Sequence, residues 1–227
     1  MPSVLVTGGG SGIGAEVCRT LTAAGWRTLA ADIRPPEGGH ELDTTDEAGW
    51  DRVLDAAWPL DGLVNCAGIR DRAPIAEMDL ARFQRMIDVH VIGCFLGIRG
   101  VARRWAGEGR AGAVVNISSV TATQAVAGQV HYVTAKGAIA ALTRAAATEL
   151  AGSGIRVNAI APGIIRTPMT ADRLGDPAQT AWLMSRVPAG RVGEPHEIAA
   201  VVQFLLSDAA SYVNGVLLPV DGGWAAS

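Results

Sequence analysis

The sequence has no run of lysine and arginine, no apolar stretch of bilayer-spanning length and no cysteines at metal-binding spacing. Each absence removes a class of function. Without a basic stripe, and at a formal net charge of only −3, nothing suggests a nucleic-acid partner or an anionic membrane surface. Without an apolar run approaching ~20 residues there is no candidate transmembrane helix. Cys18, Cys66 and Cys94 are odd in number, lack C-x-x-C spacing and sit in apolar contexts, so buried reduced thiols are expected and a metal site is not. The opening MPSVLVTGGG enters a strand-like run at once, with no charged region leading into a long apolar one. A soluble cytoplasmic protein is the expectation. A linker rich in proline, glycine and serine is also missing, as is any internal repeat, so the 227 residues are read as one domain.

What is present is apolar material: 49% of residues, against 18% charged, enough for a sizeable core. The 28 glycines cluster at the ends of elements, as expected of many tight turns. Short apolar runs alternate with longer segments of helical period. The runs are VLVT near the start, TLAAD at 28–32, GLVNCAG at 62–68, AVVNIS at 113–118, IRVNAIAPG at 155–163 and GVLLPV at 215–220. They are too continuous for half-exposed strands and too short for helices, which predicts a parallel sheet covered on both faces. Between them, Ile13, Val17, Leu21 and Ala24 step by three or four before Gly25 stops a helix. Phe83, Met86, Ile87, Val91, Cys94 and Ile98 mark a long second helical segment, and 134–150 and 196–206 give two more. The stretch from Asp43 to Gly62 leaves room for only a short helix. The predicted fold is an α/β, Rossmann-type doubly wound sheet of about seven strands.

Three stretches carry chemistry. In VLVTGGGSGIGAEVC, Gly8, Gly12 and Gly14 occupy a strand-to-helix turn. Glycines there let the backbone approach a pyrophosphate at the helix N-terminus. No Lys-Ser/Thr follows, which argues against a nucleoside-triphosphate loop. Asp32 ends the second predicted strand, where a carboxylate would accept bonds from a ribose and repel the extra phosphate of NADP. NAD is therefore preferred, although the nearby Arg34 could accommodate that phosphate. In YVTAK, Tyr132 and Lys136 are four apart and share a helix face. An ammonium beside a phenol favours the ionised ring oxygen, and such a phenol can exchange a proton with an alcohol or a carbonyl oxygen. Taken alone the pair reads as a surface pair.

TGGGSGIG at 7–14, NCAG at 65–68, NISS at 116–119, YVTAK at 132–136, PGIIRTPM at 162–169 and VDGG at 220–223 occur in the order found in the short-chain dehydrogenase/reductases, which this chain resembles over essentially its whole length. The resemblance implies a nicotinamide-dependent alcohol dehydrogenase or ketone reductase. It makes Tyr132 the general acid/base and Lys136 the residue that holds the nicotinamide ribose. Ser119 would orient the reacting oxygen, with Ser118 structural. It places Gly8, Ser11, Gly12, Ile13, Gly14, Asp32, Ile33, Asp43, Asn65, Ala67 and Gly68 on the dinucleotide. Pro162, Gly163, Ile165 and Thr167 would meet the carboxamide. Asn116 is expected to tie strands together. One departure is His90, where the family carries an asparagine that keeps a helical kink and a proton-relaying water. His90 could serve that relay, its ordinary pKa near neutrality being suitable; it could fill the position while a backbone carbonyl holds the water; or it could weaken the relay.

Specificity in this family comes mostly from the segment after PG, here 168–191, where Met169, Trp182, Leu183 and Met184 could form an apolar lid or pack a subunit contact. Thr121, Gln129 and His131 are candidate substrate contacts. Arg166, Arg173 and Arg186 are expected to be solvated, which favours a neutral secondary alcohol, cyclic or aryl-substituted. A homotetramer, or a dimer, is implied, using the helices at 79–105 and 134–150 and the last strand. The alternatives are an NADP-linked reductase of the 3-ketoacyl or other biosynthetic type, and a non-catalytic NAD-binding protein.

Overall fold

A computed structural model describes residues 1–226. Seven parallel strands form one sheet in the order β3-β2-β1-β4-β5-β6-β7. They are β1 Ser3–Thr7, β2 Arg27–Asp32, β3 His40–Glu41, β4 Gly62–Asn65, β5 Gly112–Ile117, β6 Ile155–Pro162 and β7 Leu217–Val220. Every residue of β1 and β4 is buried, whereas the flanking β2, β3 and β7 are mostly half-buried or exposed. The six apolar runs all become strands. The seventh, β3, is two residues inserted at the edge, where His40 pairs with Ala31, and no apolar run announces it.

Alternate side chains of a strand point to opposite faces, and here both faces are covered. Val4 and Val6 pack with Val17 and Leu21 of α1 (Gly12–Ala23) and with Ile198, Val202 and Leu205 of α8 (Pro195–Leu206). Leu5, between them, faces Trp50 and Leu54 of α2 (Glu47–Ala57) and Val101 and Trp105 of α4 (Gly93–Glu108). The expectation of doubly covered strands follows directly from this geometry.

Gly25 ends α1 as expected. It sits at φ 84°, its N–H bonds Thr22, and that of Trp26 bonds Leu21, the paired closure of a Schellman motif. The long helical segment is not one regular helix. It runs as α3 (Leu80–Ile87), a π turn over Asp88–Ile92, then α4. Helix α5 spans Val130–Leu150, starting four residues before the sequence pattern shows it and so including Tyr132. After β6 come two short helices, α6 (Ala171–Gly175) and α7 (Pro177–Met184). No helix among the described residues is long and apolar enough to cross a membrane.

Candidate active site

The sheet order reverses between β1 and β4, so their C-terminal ends open a crevice that the crossovers cannot cover. A cavity of ≈ 750 Å³ lies there. Thr7, the last residue of β1, receives backbone N–H bonds from Cys66 at 3.1 Å and Ala67 at 3.2 Å, which draws the NCAG turn against the glycine loop. The approach is close enough that only glycine fits. A Cβ on Gly8, whose φ is +67°, would stand 2.8 Å from Ala67 N, and one on Gly14 would stand 2.1 Å from the Gly8 carbonyl.

A nicotinamide dinucleotide fits this cradle on two counts. Helix α1 begins at Gly12 with no acidic residue in its first turn and no side-chain cap from Ser11, leaving its N–H groups directed to a ligand. Asp32 stands across the loop, its Oδ2 accepting from Gly10 N–H at 3.1 Å and its Oδ1 from Arg34 N–H at 3.0 Å. Its remaining acceptor capacity borders the cavity. Arg34 also borders the cavity and is exposed. Ile33 and Asp43 line it too, but Asp43 spends one oxygen on the N–H and hydroxyl of Thr45.

At the other end stand Ser118, Ser119, Tyr132 and Lys136. Lys136 is 4% exposed. Its Nζ donates to the Ile117 carbonyl at 2.9 Å and lies 5.5 Å from the Tyr132 ring centroid. Ser118 donates to the Lys136 carbonyl at 2.9 Å, fixing α5 against β5. Ser119 is buried and its Oγ accepts from Thr121 N–H at 3.1 Å, which leaves the hydroxyl proton to bond elsewhere.

His90 sits in the π turn with its ring edge-on to Tyr132, centroids 5.5 Å apart. Nε2 meets the backbone of Ile69, lying 2.8 Å from its carbonyl and 3.2 Å from its N–H, so it donates to the first or accepts from the second according to the tautomer, and Nδ1 is buried without a partner. The near-neutral pKa expected from the sequence does not survive folding. Burial first, and the Lys136 charge second, hold it well below the ordinary value. His90 can therefore make a hydrogen bond at Nδ1 but does not carry a proton as a cation near neutrality.

The remaining expectations divide. Pro162, Gly163, Ile165, Thr167 and Met169 line the cavity, as do Gly68 and Ala67. Asn65 does not. It is buried, donating to Asn116 at 2.9 Å, and Asn116 donates to Thr143 at 2.9 Å. Thr121, Gln129 and His131 are buried away from the cavity lining, because the turn that places Ser119 and the start of α5 folds them inward. Trp182 also lies off the lining, packed edge-on to Trp224, while Leu183 joins a small core with Val120, Ile164 and Val187. The segment therefore packs by its own core, and only its beginning, Pro168 to Thr170, faces the cavity. Arg173 is half-buried rather than solvated. Sequence reasoning missed Ile69, Thr170 and the Ile117 carbonyl. The first adjoins NCAG and could have been reached by extending that motif; the carbonyl has no side-chain signature.

A family described as enoyl-(acyl carrier protein) reductase matches residues 8–225. The chain is 39% identical to cis-4-hydroxycyclohexanecarboxylate dehydrogenase of Sinomonas cyclohexanicum, covering 98% of this chain and 96% of that one. It is 35% identical to cyclopentanol dehydrogenase of Comamonas sp., covering 99% and 97%. Among solved structures, a putative 2-deoxy-D-gluconate 3-dehydrogenase of Agrobacterium tumefaciens with bound NADP superposes with a TM-score of 0.94 at 37% identity, over 100% of this chain and 97% of that one. 4-Hydroxyisoleucine dehydrogenase complexed with NADH gives 0.95 at 29% identity, over 100% of both chains. Fold, cavity and relatives agree from end to end, and the protein belongs to the short-chain dehydrogenase/reductase family of nicotinamide-dependent oxidoreductases.

Proposed function

We propose that the protein interconverts a secondary alcohol, borne on a ring, and its ketone, with Tyr132 as general acid/base and NAD as the preferred cofactor. The observation that carries this reading is Lys136. A buried ammonium whose one recorded bond goes to a carbonyl, with no carboxylate partner among the described residues, is costly to the fold. Its retention beside a phenol and a buried serine is explained by chemistry at the cavity.

Bound nicotinamide supplies the hydride acceptor or donor. The chain's residues manage the oxygen. In the oxidative direction the Ser119 hydroxyl donates to the substrate oxygen and fixes it, and the Tyr132 oxygen removes the hydroxyl proton, whose O–H electrons close the carbonyl as the carbinol hydrogen departs with the C–H bonding pair. Lys136 places its remaining N–H groups toward the ribose side and stabilises charge on the phenol oxygen. His90 Nδ1, buried and unpartnered, is free to hydrogen-bond a water of a proton relay. Relatives named for ring alcohols favour a cyclic substrate. A homotetramer fits the exposure of Ile92 and Phe95 near the start of α4, 40% and 42%, and light scattering coupled to gel filtration measures it.

Two measurements test the reading. Reduction of NAD and NADP with a panel of cyclic secondary alcohols is expected to fall by ~10²–10⁴-fold in Tyr132→Phe; a variant as fast as the natural enzyme would remove Tyr132 from the mechanism. Asp32 supports NAD because a carboxylate at the ribose repels a second phosphate. Asp32→Ala is expected to shift the NAD/NADP ratio of kcat/KM at least ~10-fold toward NADP, with Arg34 then free to hold the phosphate. An unchanged ratio would mean that Asp32 serves only the glycine loop.

A further inference from the structure

Two arginines stand just behind residues that line the substrate end of the cavity and form no ion pair among the described residues. Arg70 follows Ile69, and Arg173 lies one helical turn beyond Thr170; both Ile69 and Thr170 line the cavity. Each guanidinium is half-buried, and each holds a buried nitrogen without a hydrogen-bond partner, Nη2 of Arg70 and Nε of Arg173. The ionisable groups near enough to act on Arg70 are Tyr132 and Arg72, and those acting on Arg173 are Arg70 and Arg72. None is an acid.

The carboxylates that could have neutralised them are committed elsewhere. Asp71, next to Arg70 in the chain, is gripped by Arg82 through two bonds of 2.7 and 2.8 Å, which holds it down to about 2. Asp176 caps α7, accepting from the N–H groups of Ala178 and Gln179. Asp172 is exposed and is not among the groups that act on Arg173. Arg72 gives one N–H to the Ala127 carbonyl at 3.3 Å. Trp182 braces Arg173 from the side, its ring 5.9 Å from the guanidinium carbon. Burial, then the like charges, pull Arg173 down to about 10, and burial is also the main cause of the lowering at Arg70. Converging like charges with unmade hydrogen bonds weaken a fold unless an anion completes them.

We propose that Arg70 and Arg173 bind a carboxylate carried by the substrate, so that the natural substrate is a ring-bearing hydroxy acid and not the neutral alcohol expected from the sequence. The proposal rests on the alcohol-oxidising reading above and adds the substrate's charge to it. Tyr132 and Ser119 take the hydroxyl end and the two guanidiniums take the acid end, which fixes the ring's orientation between them. A hydrogen bond to a charged group contributes about 1.5–3 kcal/mol, equivalent to about 10–100-fold in binding.

The test compares hydroxycyclohexanecarboxylates with their carboxamides and with methylcyclohexanols as substrates of the whole protein with saturating cofactor. The acids are expected to show ~10–100-fold higher kcat/KM than the amides. That acid/amide ratio should fall ~10-fold or more in Arg70→Gln and in Arg173→Gln, and less in Arg173→Lys, which keeps the charge. Circular dichroism establishes that each variant is folded. Equal kcat/KM for acid and amide in the natural enzyme would overturn the proposal and leave the alcohol reading intact. If no alcohol is oxidised, calorimetric titration of unreactive cyclohexanecarboxylate into the cofactor-loaded protein decides separately. Binding that weakens with salt and in Arg173→Gln upholds the anion site; no binding removes it.

Discussion

Lys136 is the only lysine in the chain; every other one of the 19 basic residues counted with it is an arginine. The chain thus uses a guanidinium wherever a cation faces solvent or a carboxylate, and an ammonium only where the backbone must be met at 2.9 Å inside a buried pocket. A planar fork cannot direct single donors both to the Ile117 carbonyl and into the cavity, whereas a compact three-donor ammonium can. His90, its neighbour across the Tyr132 ring, makes a testable statement about pH. Burial holds its folded pKa well below the ordinary 6.5, while the unfolded chain protonates at the ordinary value. Between those two values the unfolded state binds more protons, so stability rises with pH through the window and is lost as pH falls below about 6.5. Denaturant midpoints measured across this range should fall less steeply in His90→Asn than in the natural protein. Parallel curves would show that the ring is not buried as a neutral group.

At the scale of elements, the site depends on how β4, β5 and α5 are tied together. Asn65, Asn116 and Thr143 form a buried chain of bonds from sheet to helix, and Thr143 closes it by donating to the Ile139 carbonyl at 2.8 Å. This chain fixes the turn of α5 on which Lys136 and Ile139 stand. Thr143→Val keeps the shape and removes the acceptor, leaving the Asn116 amide buried and unpaired, so thermal or chemical denaturation should show a loss of about 1–3 kcal/mol. A smaller loss would mean that the asparagines find other partners. The glycine loop is a second such element, because Gly14 approaches the Gly8 carbonyl more closely than any side chain permits. The π turn at Asp88–Ile92 is a third. It carries His90 toward Gly68, where a Cβ would meet the ring at 2.5 Å. The 3.6-residue rhythm of Phe83 to Ile98 continues through this widened turn, which is why periodicity alone reads a single helix there.

For the whole molecule, burial is graded from the centre of the sheet to its edges, and opening should follow the same gradient. Amide exchange in β1, β4, β5 and β6 is expected to require global unfolding, while β3 and the α6–α7 segment, with Leu183 its one buried residue, exchange by local opening. Uniform protection across the segment would show that the small core around Leu183 and Trp224 is as firm as the main one. The molecule also marks what a sequence can carry. Six strands, four helical segments and the glycine cradle were legible because each rests on local rules: apolar run length, helical spacing and the need for glycine where backbones touch; Ser119, Tyr132 and Lys136 were singled out by the resemblance of their motifs to the family. The two-residue β3 was not, since edge pairing needs only exposed backbone groups. Nor was the inward burial of Thr121, Gln129 and His131, which depends on how one turn packs beneath α5. Arg70 and Arg173 are 103 positions apart in the numbering, so nothing local links them, and Arg173 by itself reads as solvated. The sequence by itself determined the fold family and singled out the candidate reacting groups, because the ordered motifs resemble those of the family and apolar runs and helical spacing are local signals. Only the tertiary structure decided the burial that lowers the His90 pKa and the isolation of the Arg70 and Arg173 guanidiniums, because desolvation and the lack of a carboxylate partner arise from what the rest of the chain leaves around a group.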